Sequence, residues 1–304
     1  MASTLLDERR LRAALARDKY DRREFRIIDS GLAGFDWLVA SPQGIFAVSK
    51  EHAKTVIHGW FFGLWRDGDT LYLFENCAHR NHAEAMGRLV RITIVDGHLT
   101  APLVLANGLD NNCHQVALID GLVCVVDTAN QAIRRFTTHG TPVDVRHPLP
   151  PIQDTGDSIT DYHHINAIAK IGQRIAIMLH NGRLPPPATS ELAWLDEHWT
   201  LIERQKLPGH SCHDIVEDEH GVLWHCDSMA GDLIGSDGTR IHITDDLMTL
   251  GIAFSDDAIL IGTSTFGPRH LRHKLRGAVV VLDRSFARQT VIDLPGAPTD
   301  IIAL

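Results

Sequence analysis

One phrase recurs along this chain and limits what it can fold into: a histidine, a short apolar strand, a turn, and a second apolar strand. Its clearest copy is His114-Gln115-Val116-Ala117-Leu118-Ile119, a turn at Asp120-Gly121, then Leu122–Asp127. Further copies start at His58, His164 and His213. Two more, at Thr249 and Thr299, keep the strand and lack the histidine. The first positions 58, 114, 164, 213, 249 and 299 lie 36 to 56 residues apart. Internal repetition on this scale, with four short strands per repeat, marks a propeller and not a sandwich.

The ends support the same reading. Residues 299–304 form one apolar strand with nothing after it, while residues 25–50 hold three strands (25–29, 36–40 and 44–48) preceded by a helical stretch. One strand plus three completes a blade, so the chain is expected to close its ring by pairing its two ends, which removes an exposed sheet edge. The expectation is an all-β, six-bladed β-propeller spanning 1–304 as one domain, closed by the C-terminal strand. A short amphipathic helix over 1–24 is expected outside it.

Composition enters where it excludes partners. Net charge is −9 without a long basic run, which argues against nucleic acid and anionic membranes. No apolar run is long enough to span a bilayer and the N-terminus has no signal-peptide core, so a soluble, cytoplasmic protein is expected. Five cysteines without a C-x-x-C spacing give no disulfide framework. The count that stands out is 19 histidines.

In a propeller, the first residues of the innermost strands converge around one axis. Four of the six are histidine here: His58, His114, His164 and His213. Neutral imidazoles gathered at one point each offer a lone pair, and imidazole is the commonest transition-metal ligand. The expectation is one transition-metal ion on the axis, Fe or Cu first, with Zn, Ni or Mn as alternatives. His79 or His82 would substitute for His58. Loops between second and third strands return to the same face and bring polar groups, among them His180. From these loops Arg80, Arg183, Arg269, Asp127 and Asp227 are candidates for holding substrate, the arginines suiting an anion. Cys113 and Cys212 precede their histidines and should point the other way, as buried packing residues.

The phrases Cys113-His114-Gln115, His164-Ile165-Asn166-Ala167 and Cys212-His213-Asp214 followed by Gly221-Val222-Leu223-Trp224 resemble those of a group of bacterial six-bladed propeller proteins. More distantly they resemble gluconolactonase-type and NHL-type propellers. The resemblance implies the fold. In the lactonases a Glu, Asn and Asp set holds a divalent metal, whereas histidines occupy the matching strand starts here. One histidine per blade around an axial metal is similar to the carotenoid cleavage oxygenases, which hold iron with four histidines on a seven-bladed ring. The leading expectation is therefore a metal-dependent oxidoreductase or oxygenase acting on a small organic substrate. The rivals are a metal-dependent hydrolase or lyase, in which one histidine serves as general base, and a propeller that binds without catalysis.

Overall fold

The computed structural model describes residues 26–77, 85–154, 159–160, 162–182, 188–265 and 275–304. These form six antiparallel blades around an axis. Blade 1 runs Phe61–Asp67, Thr70–Glu75, Gly87–Val95 and Leu103–Leu109 from the axis outward, and blade 2 runs Cys113–Ile119, Leu122–Asp127, Ala132–Thr137 and Pro142–Arg146. Blade 3 is Ile165–Ile171, Arg174–Leu179, Glu191–Leu195 and Leu201–Lys206. Blade 4 is His213–Glu217, Leu223–Asp227, Asp232–Gly235 and Arg240–His242, and blade 5 is Leu247–Phe254, Ile259–Thr265, Gly277–Leu282 and Arg288–Leu294.

Blade 6 closes the ring. Its innermost strand is Asp300–Ala303, paired antiparallel with Trp37–Ser41, and Gly44–Val48 and Ala53–His58 complete it. Closure by the two ends is as the sequence led us to expect. The outer strand is not: Ala53–His58 takes the fourth place, and Arg26–Ile27 adds a fifth strand beyond it. The expected helix at 1–24 lies outside the described residues. In blade 1 a two-residue hairpin arm, His98–Leu99, precedes the last strand, Leu103–Leu109.

The hydrophobic pattern explains the stacking. Second strands are buried on both faces and therefore read as continuous apolar runs. In Leu122–Asp127, Val123 and Val125 pack with Tyr72, Phe74 and Leu89 of blade 1, while Cys124 and Val126 pack with Ile168, Ile175 and Ile177 of blade 3. The described residues hold six such buried clusters, one at each blade-to-blade interface. Ile301 belongs to the cluster shared with blade 5, and Ile302 packs on the one shared with blade 1. The last strand is thus held by both neighbours.

One irregularity positions the site. The innermost strands of blades 1 to 5 each slip register near their starts: at Phe61/Gly63, Cys113/Val116, Ile165/Ala167, His213/Val216 and Thr249/Ile252. A bulge turns the side chains at that point out of the pleat. Here the turn aims them at the axis.

Candidate axial pocket

The strand starts surround a cavity of about 450 Å³ on the axis. At one strand position its wall is Phe62, His114, Asn166, His213, Leu250 and Thr299, one per blade, and His164 joins them from just before Ile165–Ile171. Thus His114 and His213 stand where the sequence register put them, and His164 lines the cavity from one residue before its strand. For His58 it is not. His58 ends the outer strand of blade 6, opposite Arg26, and is exposed. The chain needs Gly59 and Trp60 to cross from that outer edge to the axis, and Phe62 takes the place predicted for a histidine.

The fourth imidazole is His180, which follows the second strand of blade 3 and lines the same cavity. The four rings form a contiguous run, with centroids 5.1 Å apart for His114 and His164, 4.8 Å for His164 and His180, and 5.2 Å for His180 and His213. Phe62 caps one end against His114 at 5.3 Å, and Tyr162 stands edge-on to His164 with its hydroxyl 3.0 Å from Nδ1.

Hydrogen bonds fix which ring nitrogen carries the proton. His213 Nδ1 is 2.9 Å from the Ser211 carbonyl and 2.8 Å from Ser228 Oγ. Ser228 spends its own proton on the Thr249 carbonyl at 2.6 Å, so its oxygen can only accept. Both partners being acceptors, Nδ1 bears hydrogen and the neutral ring carries its lone pair on Nε2. His114 repeats the arrangement with the Asn112 carbonyl at 2.7 Å and Thr128 Oγ1 at 2.8 Å. His180 is the opposite tautomer, because its Nδ1 accepts the Gly182 N–H at 3.1 Å, which leaves hydrogen on Nε2.

Beneath the imidazoles lies a second layer, absent from the sequence reading: Gln115, Asp214 and Asp300, with glycines at 63 and 251. These side chains stitch each blade to the next. Gln115 Oε1 accepts Ile168 N–H at 2.6 Å, Asp214 Oδ2 accepts Ile252 N–H at 2.8 Å, and Asp300 Oδ2 accepts Leu64 N–H at 2.8 Å. Level with His114 and His213, Asn166 donates to the Cys212 carbonyl at 2.9 Å. Gly251 has φ 81°, and a Cβ there would meet Ile301 Cγ1 at 2.9 Å, so the close approach of blades 5 and 6 requires glycine. Burial pushes the Asp214 carboxyl up to about 6 against two backbone N–H bonds and the Gln115 amide that favour its charge. Asp300 is pushed up well above the carboxylate range by burial first and then by the charge of Asp214.

The remaining candidates stand elsewhere. Asp127 and Asp227 do not line the cavity. Asp127 is buried in its own turn, bonded to Asn130 Nδ2 at 2.8 Å and to Arg134 Nε at 2.7 Å. Asp227 accepts the His210 N–H at 3.2 Å and faces Arg240 at 3.7 Å. Each is the last residue of its second strand, where closure of the following turn claims the carboxylate. His79, Arg80, His82, Arg183 and Arg269 lie outside the described residues. Cys113 and Cys212 are buried as expected, and burial pushes the Cys113 thiol well up and that of Cys212 to about 12. Among the described residues no group of three or more His, Cys, Asp or Glu is arranged to hold a metal ion, and no Lys or Arg lines the cavity.

Fold and pocket together define the class: a six-bladed β-propeller with a histidine-walled axial pocket. No family model and no curated protein matches the chain. Among solved structures it is similar to a chain of a nidogen/laminin complex, with TM-score 0.61 and 11% identity over 89% of this chain and 98% of that one. It is also similar to a protein of unknown function from Bacteroides caccae, with TM-score 0.58 and 13% identity over 90% and 99%. A streptogramin B lyase structure matches at TM-score 0.49 and 10% identity over 89% and 74%. At these identities the likeness is one of fold alone.

Proposed function

We propose that this chain is an enzyme that transfers protons on a small organic substrate held in the axial pocket, in a hydrolysis or an elimination. The observation that carries the reading is the fixed tautomer of His213, repeated at His114. A ring whose Nδ1–H is held by two acceptors has its basic nitrogen on the other side and cannot flip without losing both bonds. His180, with hydrogen on Nε2, would serve as a donor to a developing negative charge. The wall suits a compact, partly apolar molecule: Trp60, Phe62, Met248, Leu250 and Leu275 share it with the imidazoles.

The same anchoring favours a second reading, the metal centre expected from the sequence. Metal-bound imidazoles are ordinarily held by a Nδ1–H···O=C bond, as His114 and His213 are. His114, His164 and His213 would be the ligands, with His58 excluded by its position and His180 by its tautomer. A transition-metal ion there would supply Lewis acidity or a redox centre. Of the four rings expected on one ion, His114, His164 and His213 line the pocket.

The test is a screen of lactones, esters and β-substituted carbonyl compounds, with chelator and without. Turnover that survives chelation and falls by about 10²–10⁴-fold in His114→Ala and His213→Ala supports proton transfer by the imidazoles alone. Turnover lost on chelation and restored by Fe, Cu, Zn, Ni or Mn selects the metal reading. Ligand binding without turnover would leave a binding propeller.

A further inference from the structure

We propose that the axial pocket takes a carbonyl compound with a hydrocarbon tail, and that the tail seats on an apolar arc of the wall formed by blades 5, 6 and 1. The inference deepens the proton-transfer reading and rests on it for the polar end of the substrate.

The first observation is that the wall is divided by blade. At one strand position blades 2, 3 and 4 present His114, Asn166 and His213, while blades 5, 6 and 1 present Leu250, Thr299 and Phe62. Thr299 turns its hydroxyl to the Phe61 carbonyl at 3.0 Å. The rest of the lining follows the same division. Tyr162, His164 and His180 extend the polar side, and Trp60, Met248, Leu275 and Pro298 extend the apolar one. Ser264 and Thr265, which end the second strand of blade 5, add hydroxyls to that side, and the Asp300 carboxyl lies in the layer below. Blade 6 packs on both blade 5 and blade 1, so the three apolar sectors are contiguous.

The second observation is that these apolar side chains stand outside the core. Among the described residues, Trp60, Met248, Leu250 and Leu275 belong to none of the six buried clusters that join the blades. Trp60 and Phe62 instead stack within the lining, ring centroids 6.4 Å apart. Leu250, Leu275 and Trp60 are only half-buried, and apolar surface left facing a cavity favours an apolar ligand that covers it.

A cavity of about 450 Å³ holds a whole small molecule, so one ligand can touch both arcs. A substrate that turns its carbonyl to the His180 Nε2–H and its labile proton to a basic nitrogen of blade 2 or 4 must turn its other side to blades 5, 6 and 1. Hydrocarbon there gains by leaving water. A sugar or polyol, polar on every side, would bury hydroxyls against leucine and tryptophan.

The experiment uses 2-alkylcyclopentanones as probes, titrated into the full chain by calorimetry. They carry the carbonyl and the tail but no leaving group, so binding is read without turnover. Affinity should rise about fourfold per methylene from the ethyl to the pentyl compound, about sixtyfold in all. 2-(Hydroxymethyl)cyclopentanone matches the ethyl compound in shape and should bind about tenfold more weakly. Leu250→Asn should lower the gain per methylene to about twofold or less. Leu250→Trp fills the space and should make the pentyl compound bind more weakly than the ethyl one; either variant decides the matter if the other fails to fold. A tail-length gain in a protein that turns over no lactone supports the apolar arc and removes the proton-transfer reading alone. Equal affinity across the series, an undiminished gain in Leu250→Asn, or tighter binding of the hydroxymethyl compound would overturn the proposal, and lactone turnover indifferent to tail length would do so while leaving the proton-transfer reading intact.

Discussion

Acidification should unfold this protein through one imbedded imidazole, His225. It lies on the second strand of blade 4, 6% exposed, and its Nε2 has no hydrogen-bond partner. Strand alternation turns it away from Trp224 and Cys226, which pack toward blade 5, and into the interface with blade 3. Burial pushes the imidazole down from 6.5 to about 4, and the positive charge of Arg240 adds to the effect. A depressed value means the folded state resists the proton that the unfolded chain accepts. The stability is therefore complete above the unfolded value of 6.5 and is lost as pH falls through the folded value of about 4. The difference corresponds to about 3 kcal/mol, a large share of what a domain has to spare. The perturbation is His225→Leu, which fills the same space without a titrating group. Urea unfolding of both proteins, from pH 7.5 down to pH 4, is the assay. The carboxylates held low by ion pairs, such as Asp144 beside Arg135, weaken both proteins equally. The wild type should lose about 3 kcal/mol more than the variant over this range. Parallel pH dependences would refute the assignment.

Other expectations follow from the architecture. Deleting residues 299–304 should open the ring, expose two sheet edges and produce aggregation, while Ile301→Ala alone should cost about 2–5 kcal/mol by urea unfolding. A soluble truncated chain with an unchanged melting temperature would mean that the ring is held without its last strand. His58→Ala should leave ligand and metal binding unchanged, because that ring is exposed at the outer edge; a loss of either would return it to the site. Asp127→Ala strands Arg134 and Asn130 and should lower the melting temperature without altering binding in the pocket. An effect on binding alone would mean that Asp127 faces substrate.

The fold was legible because blade grammar is written in side chains that must be buried. Second strands such as Leu122–Asp127 and Ile259–Thr265 are apolar on both faces, and the turns between strands carry Asp-Gly and Gly. The outer edge of blade 6 was not legible. Ala53–His58 runs from three half-buried residues to two buried ones, its histidine stands beside a glycine, and it reads like the start of the next blade. Three of the four imidazoles followed from strand starts. His180 was visible only as one polar residue among several in a loop, since nothing local says that the loop bends it onto the axis. The layer of Gln115, Asp214 and Asp300 had a signal that went unread: a polar residue at the same place in three inner strands. Reading it requires the bulges, which turn these residues out of the pleat and which leave no mark of their own in the sequence.

The central claim is that His114 and His213 are locked with their basic nitrogen on Nε2 and that His180 is locked the other way. Long-range ¹H–¹⁵N spectra of histidine-labelled protein at neutral pH read this directly. The account predicts the Nδ1–H tautomer for His114 and His213, the Nε2–H tautomer for His180, and a weaker preference at His213 when Ser228→Ala leaves the Ser211 carbonyl as its one acceptor. An Nε2–H tautomer at His213, or rapid exchange between the two forms at both His114 and His213, would contradict it.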